Sequence, residues 1–517
     1  MTNGAARASK SYLRLVTFAV LVPSWMALID GTVVNVGLNT IAGNLGASID
    51  EASWISSIYV LAGIFVMPLT GWVATNLGRK RAFLYAVTCF TAGSLLCAMS
   101  GTLTQLIVMR FVQGIGGGLL LPLAMAALVD AYPPEELGSA FKVYGASVMA
   151  GPALGPALGG WILSNATWPW IFLINVPLGI ASLFLIGAVL RDQSERGERS
   201  AFDWGALAIM VVGFAALQYV VQEGPRHQWF ASFDVTLAAA VACAALFVFV
   251  RMQLRAAVPL VDFKPLAIPS YAVAMVLALI TGIGFTGTAL IVPLYMQDVL
   301  KYGPDMAGFV MVPSAVGTII GTEISGRLSK WIPAGLLSAV SLALCAVGTF
   351  LFAYLGDRPG FDHALLPRFI QGFGVGLLYV PLNVLMMSHV PKRLVDAASG
   401  LGALTRQVST GLGFAILGTL IVQNRIAATS LTASRFRHTT LFDDPGFTAI
   451  ARWFSAHGYS ARDASALSLS VLQELVARAA TATAYAETFL VVAFLFVASI
   501  PFLLLFHLVP RKEADPA

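Results

Sequence analysis

Fourteen stretches of about twenty or more mostly apolar residues follow one another along the chain, at 14–38, 54–75, 82–100, 103–130, 139–163, 168–190, 204–223, 234–252, 270–297, 306–328, 333–355, 364–389, 397–424 and 485–508. A helix rises about 1.5 Å per residue, so each stretch is long enough to cross a hydrocarbon core roughly 30 Å thick. Within lipid a spanning segment must satisfy its own backbone N–H and C=O groups, and continuous apolar runs of this length do so as helices. The expected fold is an all-α membrane protein of fourteen transmembrane helices. Composition agrees, with 58% of the 517 residues hydrophobic and only 11% charged, against about 25% charged in soluble domains.

An even number of spans places both termini on one side. Of the 31 Lys and Arg residues, most fall in the termini and in the loops after even-numbered spans. Only Arg226, Lys301 and Arg358 lie in the short loops on the opposite side. Positive residues mark the cytoplasmic face, so the expected location is a bacterial cytoplasmic (inner) membrane with both termini cytoplasmic. The net charge of +5 therefore reads as a topology signal, and no nucleic-acid partner is expected. The first apolar run follows Arg7, Lys10 and Arg14, but it carries Asp30, exceeds a signal-peptide core and has no small-residue cleavage site after it. It is read as a retained first span.

A repeat organises the chain. R-F-V-Q-G-I-G-G-G-L-L starts at Arg110 and R-F-I-Q-G-F-G-V-G-L-L at Arg368, with eight of eleven positions identical, and a proline follows each, Pro122 or Pro381. The copies lie in the fourth and twelfth spans, so each is fourth in a six-helix half. The expected division is a cytoplasmic N-terminus (1–13), a first half (14–190), a linker with two extra spans (191–265), a second half (266–508) with a long outer loop at 425–484, and a cytoplasmic tail (509–517). Halves repeated in parallel about an axis along the membrane normal are a known transporter plan, with the substrate cavity between them.

A charge at the bilayer centre costs roughly 2.5–3.5 kcal/mol, so intramembrane charges are functional candidates. They are Asp30, Arg110, Arg368, Arg406 and Glu323. Counting inward along the first and fourth spans puts Asp30 and Arg110 at similar depth, roughly 10–14 Å below the outer surface. A carboxylate that alternates between a basic partner and water is a workable proton carrier, because the cation favours its charged form and apolar burial its neutral one. The alternative is a static ion pair between the two spans. Glu323 is the weaker candidate, since Arg327 four residues on offers it a local bridge. Arg406 has no acidic neighbour at helical spacing, so it needs a partner from another helix or an anionic ligand.

The run G-P-A-L-G-P-A-L-G-G puts Gly151, Gly155 and Gly159 on one face, where another backbone can approach closely. Pro152 and Pro156 should bend that helix, making a tight contact suited to a gate. Between the second and third spans, Gly71 precedes Gly78-Arg79-Lys80-Arg81, a short basic turn that reads either as a conformational latch or as plain positive-inside charge.

Together these motifs resemble the major facilitator superfamily, and more closely its fourteen-helix drug:proton antiporter branch, of which EmrB/QacA-type multidrug exporters are typical. The likeness covers nearly the whole chain. It rests on L-I-D-G-T-V-V-N-V from Leu28, the basic loop at Gly78 to Arg81, Arg110 to Gly118, and Gly151 to Gly160. It implies proton coupling by Asp30 and Arg110 and antiport through the helix-5 motif. The chain departs from the family pattern at Thr75 and Asn76, where an Asp followed by Arg is common. The segment before the last span resembles that of members served by a periplasmic adaptor protein, which is the protein partner the likeness implies.

The activity expected is export of small hydrophobic or amphipathic compounds in exchange for protons. A dedicated exporter of one metabolite, such as a siderophore or antibiotic, fits the same residues, and an uptake symporter shares the architecture. ATP drive would need a phosphate loop ending in Gly-Lys, a dipeptide the chain lacks. The six scattered histidines show no metal spacing, and no nucleophile motif points to an enzyme or a cofactor.

Overall fold

The computed structural model describes residues 10–133, 144, 154–190, 202–224, 226–356, 360–387, 390–391, 394–437 and 445–504, and among them there is no strand. The first half comprises α1 (Lys10–Leu45), α2 (Ile49–Val66), α3 (Leu69–Leu77), α4 (Arg79–Ala98), α5 (Leu103–Ala131), α6 (154–165), α7 (Trp170–Leu173) and α8 (Asn175–Val189). A hairpin of α9 (Trp204–Glu223) and α10 (Phe233–Arg255) follows. The second half comprises α11 (Pro269–Asp298), α12 (Pro304–Phe309), α13 (Val312–Leu328), α14 (Ala334–Ala353), α15 (Phe361–Met387), α16 (Val395–Arg437), α17 (Pro445–Ala456) and α18 (Ala461–Ser499).

Among the described residues twelve helical stretches are long and apolar enough to cross a membrane, and α2 with α3 forms a thirteenth bent by 59°. The bend falls at Pro68, which has no N–H to continue the helix and whose ring crowds the preceding turn. The expected fifth span, 139–163, lies mostly outside the described residues apart from α6, and the whole is compatible with fourteen crossings. Proline also marks the break between α7 and α8, where Pro177 follows Ile174 by three residues.

The repeat shows how each half is built. Gly114 and Gly118 of α5 lie against Tyr59 and Gly63 of α2, while Gly116 lies against Ala86 and Phe90 of α4. In the second copy Gly372 and Gly376 of α15 meet Ser314 and Thr318 of α13, and Gly374 meets Ser341 and Cys345 of α14. Any Cβ at these six positions would collide with backbone or side chain of the neighbouring helix. Lipid tails are as apolar as leucine, so helices in a membrane associate through such close packing. The glycine spacing therefore sets the same three-helix core twice.

α1 starts at Lys10, at what we term the near end of the bundle, and finishes at Leu45 at the far end. The described contacts between halves lie from mid-depth to the far end. Asp298, at the end of α11, accepts hydrogen bonds from Asn39 Nδ2 of α1 at 2.9 Å and from the Tyr485 hydroxyl of α18 at 2.7 Å. Gln297 Nε2 donates to the Val36 carbonyl at 3.0 Å. α9 fills the groove between α2 and α16, with Trp54 Nε1 donating to Glu223 at 2.7 Å and the Thr419 hydroxyl to the Val221 carbonyl at 3.1 Å. α10 packs chiefly on α9 and turns most of its surface outward.

The segment 425–484, expected as a long outer loop, is helical over most of its described length. α16 runs on without a break to Arg437, and α18 begins at Ala461 and continues directly into the last span. Ser460 caps α18 by accepting from Asp463 N at 3.2 Å.

Candidate functional site

Asp30 stands two-thirds of the way along α1 and Arg110 in the third turn of α5, and both side chains are fully buried, at 0% exposure. Asp30 Oδ2 lies 2.5 Å from Arg110 Nη1. The other carboxylate oxygen, Oδ1, accepts from Gln113 Nε2 and from Asn175 Nδ2, each at 2.9 Å. Arg110 Nη1 also donates to Gln113 Oε1 at 2.6 Å, and Arg110 Nε to the Ile55 carbonyl at 3.1 Å. Ser94 Oγ of α4 accepts from Gln113 Nε2 at 2.5 Å and from Asn175 Nδ2 at 3.3 Å. One carboxylate thus joins α1 to α5 and α8, and Ser94 of α4 closes the cluster through Gln113 and Asn175.

The guanidinium lies 4.3 Å from the ring centroid of Tyr59 and 5.5 Å from that of Phe172. A ring face attracts a cation and excludes water. Arg110 Nη2 nonetheless has no hydrogen-bond partner. An unpaired donor on a buried cation is costly, so the arrangement holds its charge with one bond in reserve.

Arg368 of α15 repeats half of this geometry. It is buried, at 2% exposure, and hydrogen-bonds Gln371 Oε1. Gln371 Nε2 then donates to the hydroxyls of Thr288 on α11 at 3.0 Å and Thr349 on α14 at 2.9 Å. Thr349 plays the part of Ser94, and Thr288 receives the amide that in the first half goes to Asp30. Among the described residues Arg368 meets no carboxylate, and its Nε has no partner.

The helix-5 glycines sit at two contacts. Gly155 packs on Ile29 and Thr32 of α1 and Gly159 on Val33, all within one turn of Asp30. On the other face, Gly160 lies against Pro304 and Asp305, and the Pro156 carbonyl against Gly308, so α6 touches α12 of the second half. Gly151 and Pro152 fall outside the described residues.

In the basic turn, Gly78 takes φ 83° between α3 and α4, a conformation open to glycine. Arg79 forms an ion pair with Asp130 at the end of α5, and Lys80 Nζ donates to the Gly187 carbonyl near the end of α8 at 2.7 Å. Both cations therefore lie on helix C-termini, where the dipole favours them. The partner of the basic turn is Asp130, not a residue within the loop. Gly71 has no heavy atom within 4 Å of where a Cβ would sit.

Glu323 and Arg327 form an exposed bridge of 3.1 Å on α13, apart from the buried cluster. Arg406 is exposed on α16, at mid-depth, and joins neither cluster.

Sequence reading singled out the charges and missed the neutral residues that hold them: Gln113, Asn175, Ser94 and Tyr59. A signal existed for one. Gln stands three residues after Arg in both copies of the repeat, the spacing at which the two side chains meet on a helix. Asn175 and Ser94 are single polar residues in apolar runs, which gives no hint of what they face.

Residues 20–414 match the Major Facilitator Superfamily. The chain is 32% identical over 410 residues to the multidrug export protein EmrB of Escherichia coli K12, covering 79% of this chain and 80% of that one. It is 31% identical over 414 residues to the fatty acid resistance protein FarB of Neisseria gonorrhoeae, with 79% and 80% covered. It is also 30% identical over 413 residues to multidrug resistance protein 3 of Bacillus subtilis, with 80% of each covered. Among solved structures, a bacterial homolog of the human lysosomal transporter Spinster superposes with a TM-score of 0.66 at 15% identity, covering 99% of this chain and 100% of that one. The peptide transporter POT superposes with a TM-score of 0.62 at 16% identity, covering 96% of each. Its many apolar helices make the chain a multi-pass integral membrane protein, and it belongs to the Major Facilitator Superfamily, in the branch of the multidrug export protein EmrB.

Proposed function

We propose that this protein exports small hydrophobic or amphipathic compounds in exchange for protons, its two halves rocking about the seam so that the cavity opens to each side in turn. The observation that carries the reading is Asp30, an ionisable carboxylate fully buried at membrane depth and tied by hydrogen bonds to two other helices, α5 and α8. Named multidrug exporters among its relatives support the substrate class.

The chemistry follows from the bonds. A proton on Asp30 removes the counter-charge of Arg110, and a buried cation left unpaired costs about 3–5 kcal/mol. The packing of α1 against α5 and α8 is then no longer favoured, and α1 carries the strain to the seam through Val36 and Asn39. Release of the proton on the other side restores the pair. Protonation and helix position are linked in this way without any covalent step.

The far-end contacts fit a state open toward the near end, which the lysine and arginine census assigns to the cytoplasm of a bacterial cell with both termini inside. The helical projection formed by α16, α17 and α18 is the surface we assign to a periplasmic adaptor.

The test is proton release from acidified inverted vesicles on addition of cationic and neutral drugs. Asp30→Asn is expected to abolish it while the protein still folds and inserts. Undiminished release in that variant would remove Asp30 from the mechanism.

A further inference from the structure

Arg406 differs from the two other arginines of the membrane interior. It lies in the third to fourth turn of α16, about 17 Å along the helix from Val395 at 1.5 Å per residue. Arg110 and Arg368 are buried and each bonded to a glutamine; the Arg406 side chain is exposed and makes no hydrogen bond or ion pair among the described residues.

Its surroundings place it between the halves. Arg406 Nη1 and the Tyr271 hydroxyl of α11 are each 4.0 Å from the position a Cβ would take on Gly402, a position the Met386 methyl approaches to 2.9 Å. The next residue, Gln407, donates from Nε2 to the Val60 carbonyl of α2 at 3.3 Å, across the seam.

The Tyr271 hydroxyl is already engaged, donating to the Ala398 carbonyl at 2.7 Å, and its ring is buried. It has no proton to offer an anion, so charge recognition falls to Arg406. A free guanidinium presents a planar fork of donors matched to a carboxylate. An unpaired charge at this depth costs roughly 2.5–3.5 kcal/mol unless water or a counter-ion meets it.

We propose that Arg406 is the anion-recognition residue of the substrate cavity and that the compounds carried include amphiphiles bearing a carboxylate or similar acidic group. The acidic group meets the guanidinium, and the apolar body lies in the seam beside it. This selectivity rests on the export reading above, since it assigns a substrate class to that cavity.

The experiment uses the full chain in lipid nanodiscs and three fluorescent probes with the same body: dansyl-labelled undecanoate, its methyl ester and the corresponding undecylamine. Arg406→Ala is expected to weaken the undecanoate at least tenfold, leave the ester unchanged and leave the amine equal or tighter. Arg406→Lys is expected to retain most of the undecanoate binding. Unchanged ester binding also shows that the variants are folded. Equal loss of all three probes in Arg406→Ala, or no loss of undecanoate, would overturn the proposal while leaving export standing. Failure of the wild-type chain to bind any of the three would overturn the export reading and this inference with it.

Discussion

Gln113 and Gln371 each sit three residues after a buried arginine and hydrogen-bond to it, but their amides go different ways: Gln113 Nε2 to Asp30, and Gln371 Nε2 to Thr288 and Thr349. The duplicated scaffold thus holds one carboxylate, in the first half. Among the described residues, a carboxylate meets the buried arginine–glutamine pair in the first half only, so protonation of that cluster acts on the two halves unequally.

This asymmetry separates the two arginines. Arg110→Met strands a buried carboxylate and is expected to cost about 3–5 kcal/mol. Arg368→Met strands only a glutamine carbonyl, for which the loss is about 1–3 kcal/mol. Thermal unfolding of both purified variants checks the order, and equal destabilisation would contradict it.

The neutral residues of the cluster hold the carboxylate in place without carrying charge. Asn175→Leu removes one donor from Asp30 Oδ1 and one from Ser94, the bond to the carboxylate being worth about 1.5–3 kcal/mol. We expect drug-dependent proton release to fall about tenfold or more, whereas Asn175→Asp, by adding a second acid beside the first, shifts its pH dependence. A wild-type pH profile in the Asp variant would argue against this contact.

The far-end seam depends on backbone proximity between α6 and α12. Gly308→Val places a side chain against the Pro156 carbonyl and should open that seam. A shift of about 1.4 kcal/mol changes the open population tenfold. Reaction of Ala307→Cys with an impermeant maleimide, in a background without the exposed Cys243, reads this out: Ala307 is buried at 0% exposure in the closed form. Labelling should accelerate about tenfold.

Arg79 and Asp130 are partly exposed, so their pairing is modest. A double-mutant cycle of Arg79→Ala and Asp130→Ala is expected to give about 0.2–1 kcal/mol of coupling. Lys80→Ala, which frees the end of α8 instead, should add independently of both.

Much of the architecture could be read from residue order, because lipid forces backbone satisfaction within each span and apolar length alone marks the helices. Depth counting likewise brings Asp30 and Arg110 to one level, since both lie on regular helices of known rise. What resists reading is direction around the helix axis. Nothing local tells that Asn175 faces Asp30, that Asp130 takes Arg79, or that Gln407 reaches Val60 of the other half. The segment 425–484 was harder for another reason: its polar composition ends the hydropathy signal while helix propensity continues, so α16 and α18 pass the membrane boundary unmarked.

Those two helices have a mechanical consequence. α16 is 43 residues long and α18 is 39, about 64 and 58 Å at 1.5 Å per residue, against a hydrocarbon layer of about 30 Å. They pack on each other, with Asn424 Nδ2 donating to the Thr488 hydroxyl at 3.2 Å, making a stiff pair of rods. A lever of this kind magnifies small rotations: a tilt of about 10° moves a tip some 25 Å beyond the membrane by about 4 Å. Any protein gripping that tip would feel each turnover as a stroke.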